Sequence, residues 1–201
     1  MHSPAITTDE DIAQLISDIH GISRKPPRGT PPAPVTRSGN ANTGYSTAAT
    51  VIARHFVKRT ESAIFADPLF GVDDLAKETG LSVEDTTDAL YELSSFVTVS
   101  LNRVLVQGTL FAEFDRHWKP WDPAEDALRL AADIVNDPEF PVDPQQIAER
   151  YGWQPRRLNP VVYYMLERGL IVDYQAMGMP SFAIVRIVGN QHTRRFVKSR
   201  S

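Results

Sequence analysis

Residues 67–73 read DPLFGVD, and residues 137–143 repeat this pattern as DPEFPVD seventy positions later. The match continues to Gly80 and Gly152, which are seventy-two positions apart. Matching blocks that differ by only two inserted residues indicate a duplicated structural unit. The sequence therefore predicts two copies of one unit in tandem.

Hydrophobic spacing predicts the same order of elements in each copy: a helix, a short helix, a glycine turn, a longer helix and a β-hairpin. In the first copy we expect helices over residues 47–62, 73–79 and 82–94, with hairpin strands over 97–101 and 104–106. In the second copy we expect helices over 123–136, 144–151 and 155–168, with strands over 170–174 and 182–188. Between the copies, apolar side chains at helical spacing predict a connecting helix that packs on both units: Leu110, Phe111, Phe114 and Trp118.

This order of elements resembles the winged helix-turn-helix family. The second copy carries the pattern best, through the second helix and turn over 147–153 and the third helix and wing entry over 155–171. Gly152 suits the tight turn because glycine tolerates a positive φ. The resemblance implies a mainly α fold with small β-hairpins (α+β), built from two tandem winged-helix units. We expect the first unit over 46–108, the connecting helix over 109–122 and the second unit over 123–201.

The N-terminal region predicts a different organisation. Thr7 and Glu10 form a capping-box pattern at the start of a short amphipathic helix within residues 1–21. Its apolar stripe predicts docking on the same chain, on a second copy or on a separate protein partner, through Ile12, Leu15, Ile16 and Ile19. Residues 22–45 are rich in proline, glycine and basic side chains, which predicts a disordered linker.

The net charge of −4 conceals an uneven distribution of charged residues. Residues 1–59 carry +3, residues 60–143 carry −13 and residues 144–201 carry +6. A basic end joined to an acidic middle favours two surfaces with different partners. Two interpretations of the acidic middle stay open, a partner surface and a solvated face.

The third helix of the second unit is the predicted double-stranded DNA contact. Leu158, Val162 and Met165 share one face, which we expect to lie in the core. The outward face and its flanks supply arginine for guanine edges and phosphates, asparagine for adenine, and tyrosine for phosphates, through Arg156, Arg157, Asn159, Tyr163, Tyr164 and Arg168. The wing and tail add further predicted phosphate contacts, namely Arg186, Arg194, Arg195 and Lys198.

Two further expectations concern this helix. Arg156 and Arg157 lie off the core stripe, so replacing both with alanine should leave thermal stability unchanged. Pro160 cannot donate to the carbonyl of Arg156. Either the helix is kinked there, or Asn159 caps a helix that begins at Pro160.

The corresponding helix of the first unit has the opposite charge. Glu84, Asp85 and Asp88 occupy its exposed positions, and carboxylates in these places would repel a phosphate backbone. This helix is therefore predicted to bind protein and to stay out of a DNA groove.

Catalytic patterns are missing from the sequence. It has no cysteine, its five histidines are scattered, and it contains neither a Gly-rich phosphate loop nor a nucleophile elbow. We therefore expect no enzyme activity and no cofactor or metal site. With no secretory signal pattern and no membrane span in the sequence, we expect a cytoplasmic protein without a membrane partner.

Together these patterns predict a DNA-binding protein of the transcriptional-regulator or replication/partition type. In this hypothesis the second unit contacts DNA, while the first unit and the N-terminal helix contact protein. The alternative hypothesis is a protein–protein adaptor with tandem winged helices that does not bind DNA. A third hypothesis is a regulator that senses a small molecule, although no pocket can be inferred from the sequence.

Overall fold

The computed structural model describes residues 43–172, 174 and 181–200. The predicted docking helix and residues 22–42 of the predicted linker lie outside these residues, so those predictions stay untested. Within the described residues the chain forms eight helices and one three-stranded antiparallel sheet. The predicted class, mainly α with a small β component, is confirmed.

The first unit follows the predicted order, with α1 (Thr47–Arg59), α2 (Val72–Thr79) and α3 (Val83–Glu92). Gly80 ends α2 in the left-handed conformation at φ 73°, as the glycine turn requires. Ser82 then caps α3 by accepting a hydrogen bond from the Asp85 amide.

The folded region begins before the predicted end of the linker at residue 45. The Tyr45 ring packs 5.2 Å from the ring of Phe114 and 6.3 Å from that of Phe96, measured between centroids. The hydroxyls of Thr43 and Thr50 are 2.7 Å apart and share a hydrogen bond. Residues 43–45 therefore belong to the first unit, and their assignment to the linker was wrong.

The sheet contains the predicted hairpin, β2 (Val97–Ser100) and β3 (Arg103–Val106). Leu101 lies in the tight turn, with Leu101 and Asn102 both at positive φ, as favoured hairpin turns require. A third strand, β1 (Leu69–Gly71), was not predicted and pairs with β3 to give the order β1-β3-β2.

The second unit repeats the helices as α5 (Pro123–Asn136), α6 (Pro144–Tyr151) and α7 (Pro155–Glu167). Pro160 lies inside α7, so the alternative in which a helix begins at Pro160 is wrong. Gly152 takes the left-handed conformation predicted for the turn, at φ 64°.

The hairpin of the second unit is reduced in the part of the chain that the structure describes. Ile171 and Gly189 form an isolated bridge, and the Val172 amide donates to the Val188 carbonyl at 3.1 Å. Neither predicted strand forms among the described residues. Pro141 occupies the position of Gly71 and has no N–H to donate, which disfavours a third strand there.

One helix, α8 (Gln191–Lys198), was not predicted. Asn190 caps it and forms a capping box with Thr193. Thr193 and Phe196 face inwards, so that α8 packs on α5.

The predicted connecting helix corresponds to α4 (Gly108–Trp118). The apolar side chains that were expected to pack on both units all lie in or against the core of the first unit. Leu110, Phe111 and Phe114 are fully buried and belong to the core of the first unit. The opposite side of α4 packs against α7, which belongs to the second unit. A separate core lies within the second unit.

Candidate nucleic-acid interface

The core face of α7 is the one that the sequence predicts. Leu158, Val162 and Met165 are buried in the core of the second unit, together with Val161. These four side chains fix the rotation of α7, so they also determine where its remaining residues point.

Arg156 does not point outwards, because α4 covers this side of α7. Its side chain is in the interior, with 9% of the residue exposed. The guanidinium donates two hydrogen bonds to Asp115 of α4, at 2.5 and 2.7 Å, and one to the Val57 carbonyl at 3.3 Å. It also lies over the ring of Phe111, 5.1 Å from the centroid. The prediction that Arg156 faces DNA is therefore wrong, and the expectation that its replacement leaves thermal stability unchanged loses its basis.

Asp115 is the buried partner of this contact and is fully inaccessible to solvent. Burial raises the pKa of its carboxyl group, while the hydrogen bonds and positive charge of Arg156 oppose that rise. The indole N–H of Trp121 donates a further hydrogen bond to Asp115 at 3.2 Å. The pair therefore joins α4 to α7 through charged and hydrogen-bonded groups.

Arg157 is held by a second aspartate. Its guanidinium donates to both carboxylate oxygens of Asp126, at 2.7 and 2.8 Å. It also lies 4.7 Å from the ring centroid of Trp153. Although Arg157 is partly exposed, this bidentate contact within the second unit occupies the group that was predicted to meet DNA.

Asn159 is fully buried. Its side-chain N–H groups donate to the carbonyls of Ser62 and Ser181 at 2.8 and 2.9 Å, and its side-chain oxygen accepts from the Ala183 amide at 3.0 Å. The prediction that Asn159 contacts adenine is wrong, because its hydrogen bonds link α7 to neighbouring segments.

Tyr163 is placed against α4 at Gly108. A Cβ at Gly108 would lie only 1.9 Å from a ring carbon of Tyr163, so glycine is needed for this close approach. Tyr163 is thus part of the contact between α4 and α7, and its predicted place on an outward stripe is wrong.

The C-terminal end of α7 remains partly open. The Arg168 guanidinium lies 3.6 Å from the ring centroid of Tyr164 and forms an ion pair with Glu167 at 3.0 Å. Tyr164, Glu167 and Arg168 line an open groove of about 320 Å³, and Glu113 lines it as well. Two carboxylates beside one guanidinium make this groove a poor phosphate site.

The predicted cations of the tail come together on α8. Arg194, Arg195 and Lys198 are exposed on one side of this helix, opposite the buried Thr193 and Phe196. We call these three cations the basic face. None of them forms an ion pair with another residue in the described part of the chain.

Arg186 is also exposed, in the segment that leads to α8. Its guanidinium lies 5.8 Å from the ring centroid of Tyr174, and it too has no ion pair with a described residue.

On α3 the predicted carboxylates are exposed, as expected. We call Glu84, Asp85 and Asp88 the acidic face. Asp85 accepts a hydrogen bond from the Ser82 hydroxyl at 2.6 Å, and no member of the acidic face forms an ion pair with a described residue. Tyr91 projects from the same helix with 83% of its surface exposed.

Within residues 43–172, 174 and 181–200, no cluster of three or more histidine, aspartate or glutamate side chains is placed to hold a metal ion. In the same ranges, every helix is too short or too polar to cross a membrane.

Sequence reasoning missed the partners of the two arginines and the close approach at Gly108. The partners lie far away along the chain, since Asp115 and Asp126 precede Arg156 and Arg157 by 41 and 31 positions.

The chain was compared with protein family models, with curated proteins and with solved structures, and none of the three comparisons found a match.

Proposed function

We propose that this protein binds double-stranded DNA through the basic face of α8, supported by Arg186. The observation that carries this proposal is the exposure of Arg194, Arg195 and Lys198 on one helix face without an acidic partner among the described residues. Duplex DNA presents a regular row of phosphates, and arginine and lysine neutralise them with release of counterions.

The mode of contact differs from the one predicted from the sequence. Insertion of α7 into the major groove would require Arg156 and Asn159 to leave buried contacts with Asp115 and Ser62. Arginine and lysine on α8 instead suit the phosphate backbone, where contacts position a protein without reading bases. We therefore propose binding that depends weakly on base sequence and strongly on salt.

The acidic face of α3 repels phosphates, so in this proposal it contacts protein. The predicted N-terminal docking helix would serve the same purpose. Such a division fits a cytoplasmic DNA-binding protein of the transcriptional-regulator or replication/partition type, with no chemical step of its own.

The test is a fluorescence anisotropy titration of a short labelled duplex of random sequence across a salt series. For the intact protein, log Kobs should fall with log salt by about 0.9 for each phosphate contacted. Replacing the basic face, as Arg194→Gln/Arg195→Gln/Lys198→Gln, should weaken binding to all sequences alike. The salt slope should then fall by about 3, since each lost cation removes about one unit.

The control for this variant carries Arg54→Gln/Lys58→Gln, two exposed cations on α1. It removes basic charge from a different helix and should bind the duplex as the intact protein does. The proposal fails if the intact protein does not bind the duplex at low salt. It also fails if loss of the basic face leaves the affinity and the salt slope unchanged.

The adaptor hypothesis remains a second candidate, because α7 is covered by another helix while the acidic face of α3 is open. An adaptor would bind a basic protein surface at α3 and would show no affinity for the duplex in the same titration.

A further inference from the structure

The repeat lets α3 and α7 be compared residue by residue. Each helix follows a left-handed glycine, Gly80 or Gly152, with its N-cap two residues later. With these glycines aligned, the fully buried Leu93 corresponds to the fully buried Met165. The two helices therefore turn equivalent faces towards the cores of their units.

The face of each helix that points away from the core of its own unit is covered on α7 and open on α3. Arg156 and Tyr163 lie against α4, whereas their counterparts on α3 are Glu84 and Tyr91, which are exposed. The first unit thus presents the surface that the second unit buries against α4. No described helix covers this surface of α3.

A matching comparison holds for α4 and α8. Each helix follows the hairpin region of its unit and packs on the first helix of that unit, α4 on α1 and α8 on α5. Counted from their N-caps, the fully buried Leu110 corresponds to the fully buried Thr193, whereas the fully buried Phe111 corresponds to the exposed Arg194. The two helices therefore share part of their inward faces.

The side of α4 that meets α7 includes Ala112 and Asp115. Counted in the same way, these residues correspond to Arg195 and Lys198 of the basic face, which are exposed. The molecule therefore contains one helix-on-helix contact of this kind, between α7 and α4. It also carries the two surfaces of a second such contact, one on α3 and one on α8, and neither has a partner among the described residues. We call these two surfaces the open halves.

The charges of the two open halves are complementary. In the completed contact, Arg156 of α7 pairs with Asp115 of α4 at 2.5 Å. Their open counterparts are Glu84 on α3 and Lys198 on α8, the same kind of pair with the charges exchanged. Arg195 of the basic face and Asp88 of the acidic face extend the complementarity.

We infer that the acidic face of α3 in one molecule binds the basic face of α8 in a second copy, in the manner in which α7 packs on α4 within each molecule. The contact joins two different surfaces, so each complex keeps one free α3 and one free α8. Such head-to-tail contacts give rings when the rotation closes and open chains when it does not.

This association should be weaker than the contact within the molecule. Gly108 lets the Tyr163 ring approach α4 closely, whereas the corresponding position of α8 is Gln191. The side chain of Gln191 prevents an equally close approach by Tyr91. The contact between copies consequently rests more on exposed charges, which salt screens.

The test is sedimentation velocity of the full chain over a concentration series at low salt. We expect the intact protein to form dimers and larger species that dissociate as salt is raised. Charge reversal on either face, by Glu84→Lys/Asp88→Lys or by Arg195→Glu/Lys198→Glu, should give a monomer because like charges then meet. An equimolar mixture of these two variants should associate again, since each supplies the face that the other lacks.

Arg54→Glu/Lys58→Glu makes the same charge change as the α8 variant, at exposed positions of α1, and should associate like the intact protein. Circular dichroism of every variant establishes that loss of association is not loss of folding. The inference is overturned if the intact protein stays monomeric at all concentrations. It is also overturned if a folded face variant associates normally, or if the mixture stays monomeric.

The inference goes beyond the proposed DNA binding but shares the basic face with it, so duplex and second copy should compete. Added duplex should therefore convert assembled protein into monomeric complexes. Association without DNA binding would leave this inference standing and remove the proposed function. DNA binding by a protein that stays monomeric would leave the proposed function standing and overturn this inference.

Discussion

Replacing Arg156 with alanine should lower the free energy of unfolding by about 3–5 kcal/mol, the usual cost of removing one partner from a buried ion pair. Asp115 is fully buried, and among the described residues only Trp121 would still donate a hydrogen bond to its carboxylate. The Val57 carbonyl would lose its contact with the guanidinium as well. Urea denaturation followed by far-ultraviolet circular dichroism measures this change.

Two comparison variants separate the ion pair from a general effect of losing an arginine. Arg54 is exposed on α1, so Arg54→Ala should change stability by no more than about 0.5 kcal/mol. Asp115→Leu/Arg156→Met replaces both charges with apolar groups and should recover most of the loss, because buried ion pairs often exchange for apolar pairs without net cost. If Arg156→Ala is as stable as the intact protein, the assigned contact between α4 and α7 is wrong.

Leu158→Ala should lower the free energy of unfolding by about 2–5 kcal/mol, the range for truncating a buried leucine. Leu158 is fully buried in the core of the second unit, where it packs among Val161, Val162 and Met165. Its loss leaves a cavity that rigid helix packing fills only in part.

The matched control is Leu158→Met, which keeps the volume nearly constant and should cost less than about 1.5 kcal/mol. The same urea titration compares both variants with the intact protein. An unchanged midpoint for Leu158→Ala would mean that α7 is rotated from the position described, and the placement of Arg156 would change with it.

Local patterns in the sequence predicted most of the helices. The bounds of α5 and α6 coincide with their predicted ranges, because proline at the first helical position marks each start. Gly152 ends α6 in the left-handed conformation that the glycine turn implied. The hydrophobic spacing of α7 also gave the correct core face, with Leu158 and Met165 inside.

Contacts between the two units could not be predicted in the same way. Helical phase places Arg156 away from the core of its own unit, but it does not reveal that α4 covers that side. Gly108 was a usable signal, since glycine at the start of a helix permits close packing by another element. Asp115 was a weaker signal, because the middle of the chain contains many acidic residues.

The missed helix α8 has a different explanation. Its basic residues are typical of a charged tail, but Asn190 and Thr193 form a capping pattern and Phe196 lies three residues further on. Recognition of that pattern would have placed Arg194 and Lys198 on one face. The DNA contact predicted from the sequence would then have lain on α8 rather than on α7.

Hydrogen–deuterium exchange of the full chain, with and without duplex, tests most directly the claim that α8 is the DNA contact. At a protein concentration low enough for the chain to be monomeric, we predict that duplex slows exchange of the backbone amides of α8, Gln191–Lys198, and leaves α3 unchanged. Exchange in α7 should also stay the same, because α4 already covers its outer face. Slower exchange in α7 or α3, with no change in α8, would contradict the account.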